Sequence, residues 1–559
     1  MPKILINEID KTNPGTPGGY SNYSVLIPGF MGNGNSTTIA PDSNGIYEFR
    51  AVQDFIDTIG LVAPKATASI EVGEGEEASA VTQELYHYGN QMAYELLKQG
   101  YSILYMPITP DNCIDVLSNA NTWEIFKDKA NYDFRFVTHG LLESSDTSTL
   151  EAEEKMLDEA LQTLNNKNVI TYNADSMTVT IGGKDLQIEQ LTNADLERVN
   201  SSNEAYQELY NELISEDSEL VVEGLIDPDT KEYYASSVSA VTGVLKRMRT
   251  TLSLLAACIT DVTINTVNNN IANLAKYVKE SDTVGIPGRG DCVALIELDE
   301  NVYADSTTNP EIAIIKAVNA MSGIDAACGK YCALTVPSVV YNMIPEDEFD
   351  GNKKFPGAFH YLACFMNALR SGFAEWYAAA GYTRGVSSYK VDHTTVTLGE
   401  IAINALEPRN TDGSEDSPKF ACNVIANFRG SYYLWGNRTA HPLGDVKGNN
   451  GDLVASHFLN IRQLCTTIKK QLYVACRRFT FDPNSDTLWF NFVNAIRPTL
   501  EAMKADQGVR DYKILKVYTD KKATLKAKIR IIPIEAVEDF DLEVSLEDSF
   551  GETAAVVTE

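Results

Sequence analysis

Trp435-Gly-Asn-Arg-Thr439, followed at a distance by Phe481-Asp-Pro-Asn484 and Leu488-Trp489, is the stretch from which the organisation of this chain is read. Between the two motifs, apolar residues recur in steps of three and four at Val454, Phe458, Ile461, Cys465, Ile468, Leu472, Ala475, Cys476 and Phe479. That spacing predicts one long helix over 454–479 with a single apolar stripe. Lys470 and Arg477, seven apart, fall on the side opposite the stripe, while Arg462 and Lys469 flank it. Asp482-Pro-Asn484 breaks the helix. A second helix begins at Leu488-Trp489, buries Trp489, Val493, Ile496, Leu500 and Met503, and ends at Gly508. Tyr512–Tyr518 and Leu525–Ile532 then read as two strands.

Charge is distributed unevenly. The 559-residue chain carries a formal charge of −31, which argues against a nucleic-acid binder and against adhesion to an anionic membrane. Yet residues 421–530 hold 18 basic and 8 acidic side chains, whereas 535–559 hold 9 acidic and no basic ones. Residues 143–232 hold 22 acidic against 5 basic. A positive module beside negative ones suits an acidic partner, although a structural domain that is merely lysine-rich has the same composition.

Upstream, strand and helix patterns alternate across 23–140 and 285–410, which predicts an α/β core interrupted by the acidic stretch. Tyr23–Pro28 reads as a buried strand, Gln83–Gln99 as a helix and Tyr101–Met106 as a strand. Within the acidic stretch, Leu150–Leu164 and Leu196–Ile214 read as helical, and Val169–Leu186 as a hairpin through Gly182-Gly183. After it come a helical region Val238–Lys279, a strand Cys292–Glu297, a helix Glu311–Met321, a strand Tyr331–Pro337 and a helix Ala358–Ala380. The boundaries are therefore drawn at 1–24 (an extended arm), 25–140 and 246–410 (two parts of one α/β domain), 141–245 (the acidic insertion), 411–534 and 535–559 (a second arm). Ile4, Leu5 and Ile6 near one end, and Leu542, Val544 and Leu546 near the other, are short strand-like segments on polar tethers.

This order resembles the tail sheath proteins of contractile bacteriophages and the sheaths of related contractile injection systems. The family's tryptophan-glycine-x-arginine-threonine motif is present as Trp435, Gly436, Arg438 and Thr439, after the apolar strand Asn423–Asn427. Its phenylalanine-x-proline-asparagine break is Phe481–Asn484, with Pro483 and Asn484, and its glycine-to-tyrosine turn is Gly508–Tyr512. Arg462-Gln-Leu464 keeps the arginine-leucine helix motif with one residue inserted. Looser likeness covers Arg289–Ile296, Trp376–Gly381 with Arg384-Gly385, and Ile401–Leu406; the acidic insertion has no counterpart in compact sheaths.

The resemblance implies a multidomain protein, α/β and α+β: a C-terminal α+β domain facing an inner tube, a discontinuous α/β middle domain with an inserted acidic outer domain, and extended terminal arms. It implies a non-enzymatic virion tail protein, assembled in the host cytoplasm, whose partners are further copies of itself in stacked hexameric rings, the inner tube protein, and baseplate and terminator proteins. Nucleic acid, membrane and cofactors are absent from that list. The arms around Ile4–Ile6 and Leu542–Leu546 would add strands to neighbouring subunits, and Lys469, Lys470, Arg477 and Arg478 would face the tube.

Other motifs carry less. Gly29–Gly34 lacks the lysine-serine/threonine of a phosphate loop. Arg289-Gly-Asp291 abuts an apolar strand and reads as a turn. Six histidines show no ligand spacing, and His457 reads as a packing residue. Nine cysteines without a paired framework read as buried small hydrophobes, including Cys328 and Cys332. No serine, cysteine or carboxylate constellation stands out for catalysis. Met1–Glu8 is too poor in apolar residues for a secretory signal. The competing readings are a phage sheath, the sheath of a cell-borne injection device, and an unrelated cytosolic α/β enzyme.

Overall fold

A computed structural model describes residues 23–34, 39–72, 79–144, 171–173, 178–181, 184–187, 270–279, 289–300, 309–342, 354–408, 417–443, 453–518 and 524–534, with a few single positions between them. The arm segments Ile4–Ile6 and Leu542–Leu546, the helices expected at Leu150–Leu164 and Leu196–Ile214, and most of Val238–Lys279 lie outside these residues. Among the described residues the chain is a mixed α/β, multidomain protein with five sheets.

The largest sheet has eight strands, numbered here in chain order along the whole protein. Six are parallel: β5 (Ser102–Ile108), β1 (Ser24–Phe30), β6 (Phe136–Thr138), β11 (Val293–Ile296), β12 (Cys332–Val336) and β16 (Asn423–Phe428). Antiparallel strands close both edges, β2 (Tyr47–Phe49) on β5 and β17 (Ser431–Trp435) on β16. The interior strands are buried on both faces, as continuous apolar runs such as Val293–Ile296 require. One face packs Leu26, Val137, Ala294 and Leu334 against Ile314, Val318 and Phe126. The other packs Val25, Phe136 and Val293 against Met92, Leu96, Leu362 and Phe365.

Smaller sheets surround it. β3 (Lys65–Val72), β4 (Ser79–His87) and β7 (Leu142–Ser144) are antiparallel. So are β13 (Val339–Tyr341), β14 (Lys354–Phe355) and β15 (Val391–Thr394). In the acidic stretch β8 (Thr171–Asn173), β9 (Thr178–Ile181) and β10 (Lys184–Gln187) form a third, and β9 and β10 pair across 182–183 as the glycines predict. The fifth is the two-stranded ribbon β18 (Val509–Val517) and β19 (Lys526–Pro533).

Three expectations change. The helix expected over Gln83–Gln99 is a strand as far as His87 and a helix only over Gly89–Lys98. Leu85 lies in the β3–β4–β7 ladder, and Gly89 sits where a Cβ would come within 1.8 Å of the Pro28 carbonyl oxygen. The helix expected over Ala358–Ala380 stops at Arg370. Gly372 takes φ +90, and the Phe373 N–H donates back to the Ala368 carbonyl, a left-handed helix stop. Finally, β16 and β17 follow the polar linker yet belong to the central sheet, so the sheet runs across the boundary drawn at 411.

The carboxyl ends of the parallel strands, where open α/β sheets bind ligands, are filled by side chains here. The Gly89 N–H donates to His87 Nδ1, so the His87 proton sits on Nε2 and is donated to the His139 carbonyl. His139 Nε2 accepts from the Glu297 N–H, leaving its proton on Nδ1. Burial lowers His87 to about 3 and His139 to about 4, and raises Glu297 to about 8. Nearby, Lys354 bridges Glu143 and Glu300, and burial followed by the Glu143 charge raises Glu300.

The histidines are depressed below their usual 6.5, so the unfolded chain binds more protons below that value and their contribution is lost as pH falls. Glu297 is raised above its usual 4.5, so its contribution is lost as pH rises toward 8. Between pH 4.5 and 6.5 the depressed histidines, His360 and His441 among them, outweigh the raised carboxyls Glu297 and Glu300. Denaturant midpoints measured across pH are expected to peak near 6.5, with Glu297→Gln flattening the fall from 6.5 to 8; an unchanged alkaline limb in that variant refutes the assignment.

Candidate assembly site

The Trp435–Thr439 motif lies where the central sheet hands the chain to the C-terminal helices. Trp435 ends β17 and packs edge-on against Phe428 and Tyr382, with ring centroids 4.9 and 5.1 Å away. Gly436 has φ +151, and a Cβ there would lie 2.8 Å from Asn423 Cα. The approach lets the buried Asn423 side chain accept from the Arg438 N–H and donate to the Arg438 and Leu334 carbonyls. Asn437 Oδ1 accepts from the Asn460 N–H, and its carbonyl accepts from the Leu459 N–H, so the motif caps the long helix Leu459–Arg478 from outside. The Thr439 hydroxyl donates to the Ser456 carbonyl, and Arg438 pairs with Glu407 at 2.8 Å.

That helix starts at Leu459, five residues later than its apolar pattern, because Ala455–His457 forms a separate 3-10 turn. His457 is buried there and stacks on His441 at 4.4 Å, a packing histidine as expected. The N-terminal half of the helix is buried on most sides, polar residues included. Fully buried Arg135, immediately before β6, donates to Gln463 Oε1 at 2.9 Å and to Thr467 Oγ1 at 2.7 Å.

This burial corrects the reading of the basic residues. Lys470 is only 3% exposed and pairs with Asp133 at 2.6 Å. Lys469 is half-buried and donates to the Gly290 carbonyl at 2.9 Å. The side of the helix opposite its apolar stripe packs on the central domain at Gln463, Thr467 and Lys470, and reaches solvent only beyond them. Arg478 is exposed; Arg477 is half-buried, its guanidinium 5.6 Å from the Tyr473 ring. Tyr473, Val474, Phe481 and Phe490 are exposed alongside.

Beyond the central domain the long helix and Asp486–Ala505 build a second body. Pro483 and Asn484 lie in the exposed break, and the Ser485 hydroxyl caps the second helix by accepting from the Leu488 N–H. Its buried residues are Leu488, Phe492, Val493, Ile496, Leu500 and Met503, with Trp489 half-buried. Trp376 ties this body to the centre by donating to the Asp506 carbonyl at 2.8 Å.

The ribbon β18–β19 completes the body. Among the described residues β18 and β19 pair only with each other, which leaves two outer edges with open backbone groups. Along β19, Lys526, Lys528 and Arg530 are exposed, whereas Ala527, Ile529 and Ile531 are half-buried. The latter three face a groove of about 890 Å³ that they share with Ile468, Leu472 and Phe492. Cys465, half-buried, and Cys476, exposed, also line it, unlike the other described cysteines, which are buried. The arrangement offers an extended segment backbone hydrogen bonds, apolar pockets for alternate residues and a basic upper face.

Sequence reasoning missed Arg135, which no pattern marks, and the basic-apolar alternation of β19, which Lys526–Ile531 displays. Arg289-Gly-Asp291 is buried: Arg289 pairs with Asp291 at 2.9 Å and donates to the Phe126 and Tyr132 carbonyls. Among the described residues no three His, Cys, Asp or Glu side chains are placed to hold a metal ion, and no helix is long and apolar enough to cross a membrane.

No protein-family model matches the chain, and no curated protein matches it. Solved structures do. The baseplate of the anti-feeding prophage matches at 15% identity and TM-score 0.32, covering 46% of this chain and 69% of that one. The sheath complex of an extracellular contractile injection system, in its contracted state, matches at 15% identity and TM-score 0.33, covering 46% of this chain and 65% of that one.

Gly436→Ala must force apart the sheet and the helix start. It is expected to destabilise the protein by about 2 kcal/mol or more in denaturant unfolding. Gly430→Ala, where φ is +84 but no neighbour lies within 4 Å, is expected to cost only about 1 kcal/mol. Equal losses would remove the close approach as the cause.

Proposed function

We propose that this chain is a structural sheath subunit of a contractile tail or injection machine. In this reading it polymerises as stacked hexameric rings around an inner tube and shortens to drive the tube through an envelope. The observation that carries it is the β18–β19 ribbon, with open edges beside an apolar groove and a basic row above.

A neighbouring copy supplies the missing strand. Asp541-Leu-Glu-Val-Ser-Leu-Glu547 alternates acidic or polar with apolar residues. Leu542, Val544 and Leu546 fill the groove opposite Ile531, Ile529 and Ala527, while Glu543 and Glu547 meet Arg530 and Lys526, with Ser545 opposite Lys528. The segment around Ile4, Leu5 and Ile6 serves the other open edge. Strands exchanged this way keep subunits connected while their bodies rotate, and rigid-body repacking is what a contraction requires.

The tube is an acidic partner met by the overhanging end of the long helix at Arg477 and Arg478, with Tyr473 and Phe481 beside them. Lys469 and Lys470 are engaged within the subunit and take a supporting place. Baseplate and terminator proteins close the two ends. The acidic insertion projects outward, and the assembled protein belongs to a phage tail or its domesticated counterpart.

Chains ending at Ile534, and full-length Val544→Asp, are expected to remain single subunits or short oligomers in negative-stain micrographs, where the unaltered chain forms long hollow polymers. Polymers of normal length from both variants would overturn the strand-exchange reading.

A further inference from the structure

We infer that, before assembly, the groove of each subunit is filled by that subunit's own residues 541–546, so that polymerisation exchanges an internal strand for a neighbour's. The inference rests on the strand-exchange reading above and adds a resting state to it.

Three observations carry it. The first is the chain's exit. β19 ends at Pro533, and the Ile534 N–H donates to the Gly508 carbonyl at 3.2 Å, which holds the outgoing chain at the end of the ribbon. Six residues, 535–540, then precede Asp541. A connection of that length suffices to turn a chain back antiparallel to the strand it has just left.

The second is side-chain complementarity along the open edge. On β19, Lys526, Lys528 and Arg530 point to solvent, and Ala527, Ile529 and Ile531 to the groove. A strand laid beside it continues the same pleat. Leu542, Val544 and Leu546 then enter the groove together, and Glu543 and Glu547 rise opposite Arg530 and Lys526, with Ser545 opposite Lys528. Shifting the segment by one residue would bury the acids, so the alternation selects a register.

The third is the groove itself. An open edge over about 890 Å³ of largely apolar groove is a template for indiscriminate pairing. The chain that leaves β19 continues, six residues on, into a segment of the composition needed to cover it. A tether of a few residues gives an effective concentration in the millimolar range, far above that of any second subunit in dilute solution. Cis and trans pairings contain the same contacts, so exchange into a growing polymer sacrifices none of them.

Cys476 and Cys465 line the groove and report on its occupancy. Dilute monomers, checked by light scattering, are treated with N-ethylmaleimide, and modification of each thiol is followed by peptide mass spectrometry. In the full-length monomer both thiols are expected to react about tenfold more slowly than in a chain ending at Ile534, the protection that a net docking preference of about 1.4 kcal/mol gives. Full-length Val544→Asp should label like the shortened chain. A peptide of residues 537–550, added in excess to the shortened chain, should restore slow labelling. Equal rates in full-length and shortened monomers would overturn self-capping. If they are equal but the shortened chain fails to polymerise, strand exchange stands and only the resting state falls. If the full-length thiols are protected but the shortened chain polymerises normally, the internal contact stands and the exchange reading falls.

Discussion

The long helix Leu459–Arg478 belongs to two bodies at once, and the rest of the structure is arranged around how it is held. Its first turns are capped by Asn437, the middle residue of the Trp435–Thr439 motif, while Asn423 locks that motif to the central sheet. Two turns on, Arg135 reaches from just before β6 to Gln463 and Thr467. Its two Nη groups donate to side chains four residues apart on one face of the helix, and that pair of contacts fixes the rotation of the helix about its axis. That rotation decides which side chains leave the central domain on its far end: Lys470 is held inside, whereas Val474 and Arg478 emerge. The helix is thus a rigid spar, and the second body rides on it.

Much of this layout is legible in the sequence, for a physical reason. Helical periodicity is local, so the second helix, its stop at Gly508 and the two strands after it follow from spacing and punctuation alone. The interior strands are also legible, because strands buried on both faces are continuous apolar runs. What stays hidden depends on partners distant in the chain. Nothing in Asn423–Phe428 says that it lies beside Cys332–Val336, so the central sheet crosses a linker that composition marks as a boundary. Leu85 has helical spacing to Met92, yet its partners are Ala66 and Ser144.

The candidate site divides the same way. The motif residues are visible as a motif, but their work is structural: they splice sheet to helix. Lys470 sits opposite the apolar stripe, as its spacing predicts, yet a periodicity cannot say what covers each side of a helix. Leu542–Leu546 is visible as an alternation and Ile4–Ile6 only as a short apolar run, and the open edge of β19 required the structure.

A rigid splice beside an exchangeable edge makes mechanical sense when magnitudes are compared. Docking a six-residue strand makes roughly six main-chain hydrogen bonds at about 1 kcal/mol each. Burying three branched apolar side chains adds about 1.5–3 kcal/mol apiece. Ordering six residues costs about 1–2 kcal/mol per residue. Gain and cost are both on the order of 10 kcal/mol, so a single docked arm is marginal. Marginal contacts can be exchanged, and in the proposed polymer they would become lasting only where many copies hold each other. By contrast, the contacts of Asn423, Asn437 and Arg135 are buried, and removing either partner of one leaves the other unsatisfied in the interior. On the strand-exchange proposal, a chain built in this way would change neighbours and orientation without losing its own fold, because a docked arm is held more weakly than the helix is held to its sheet.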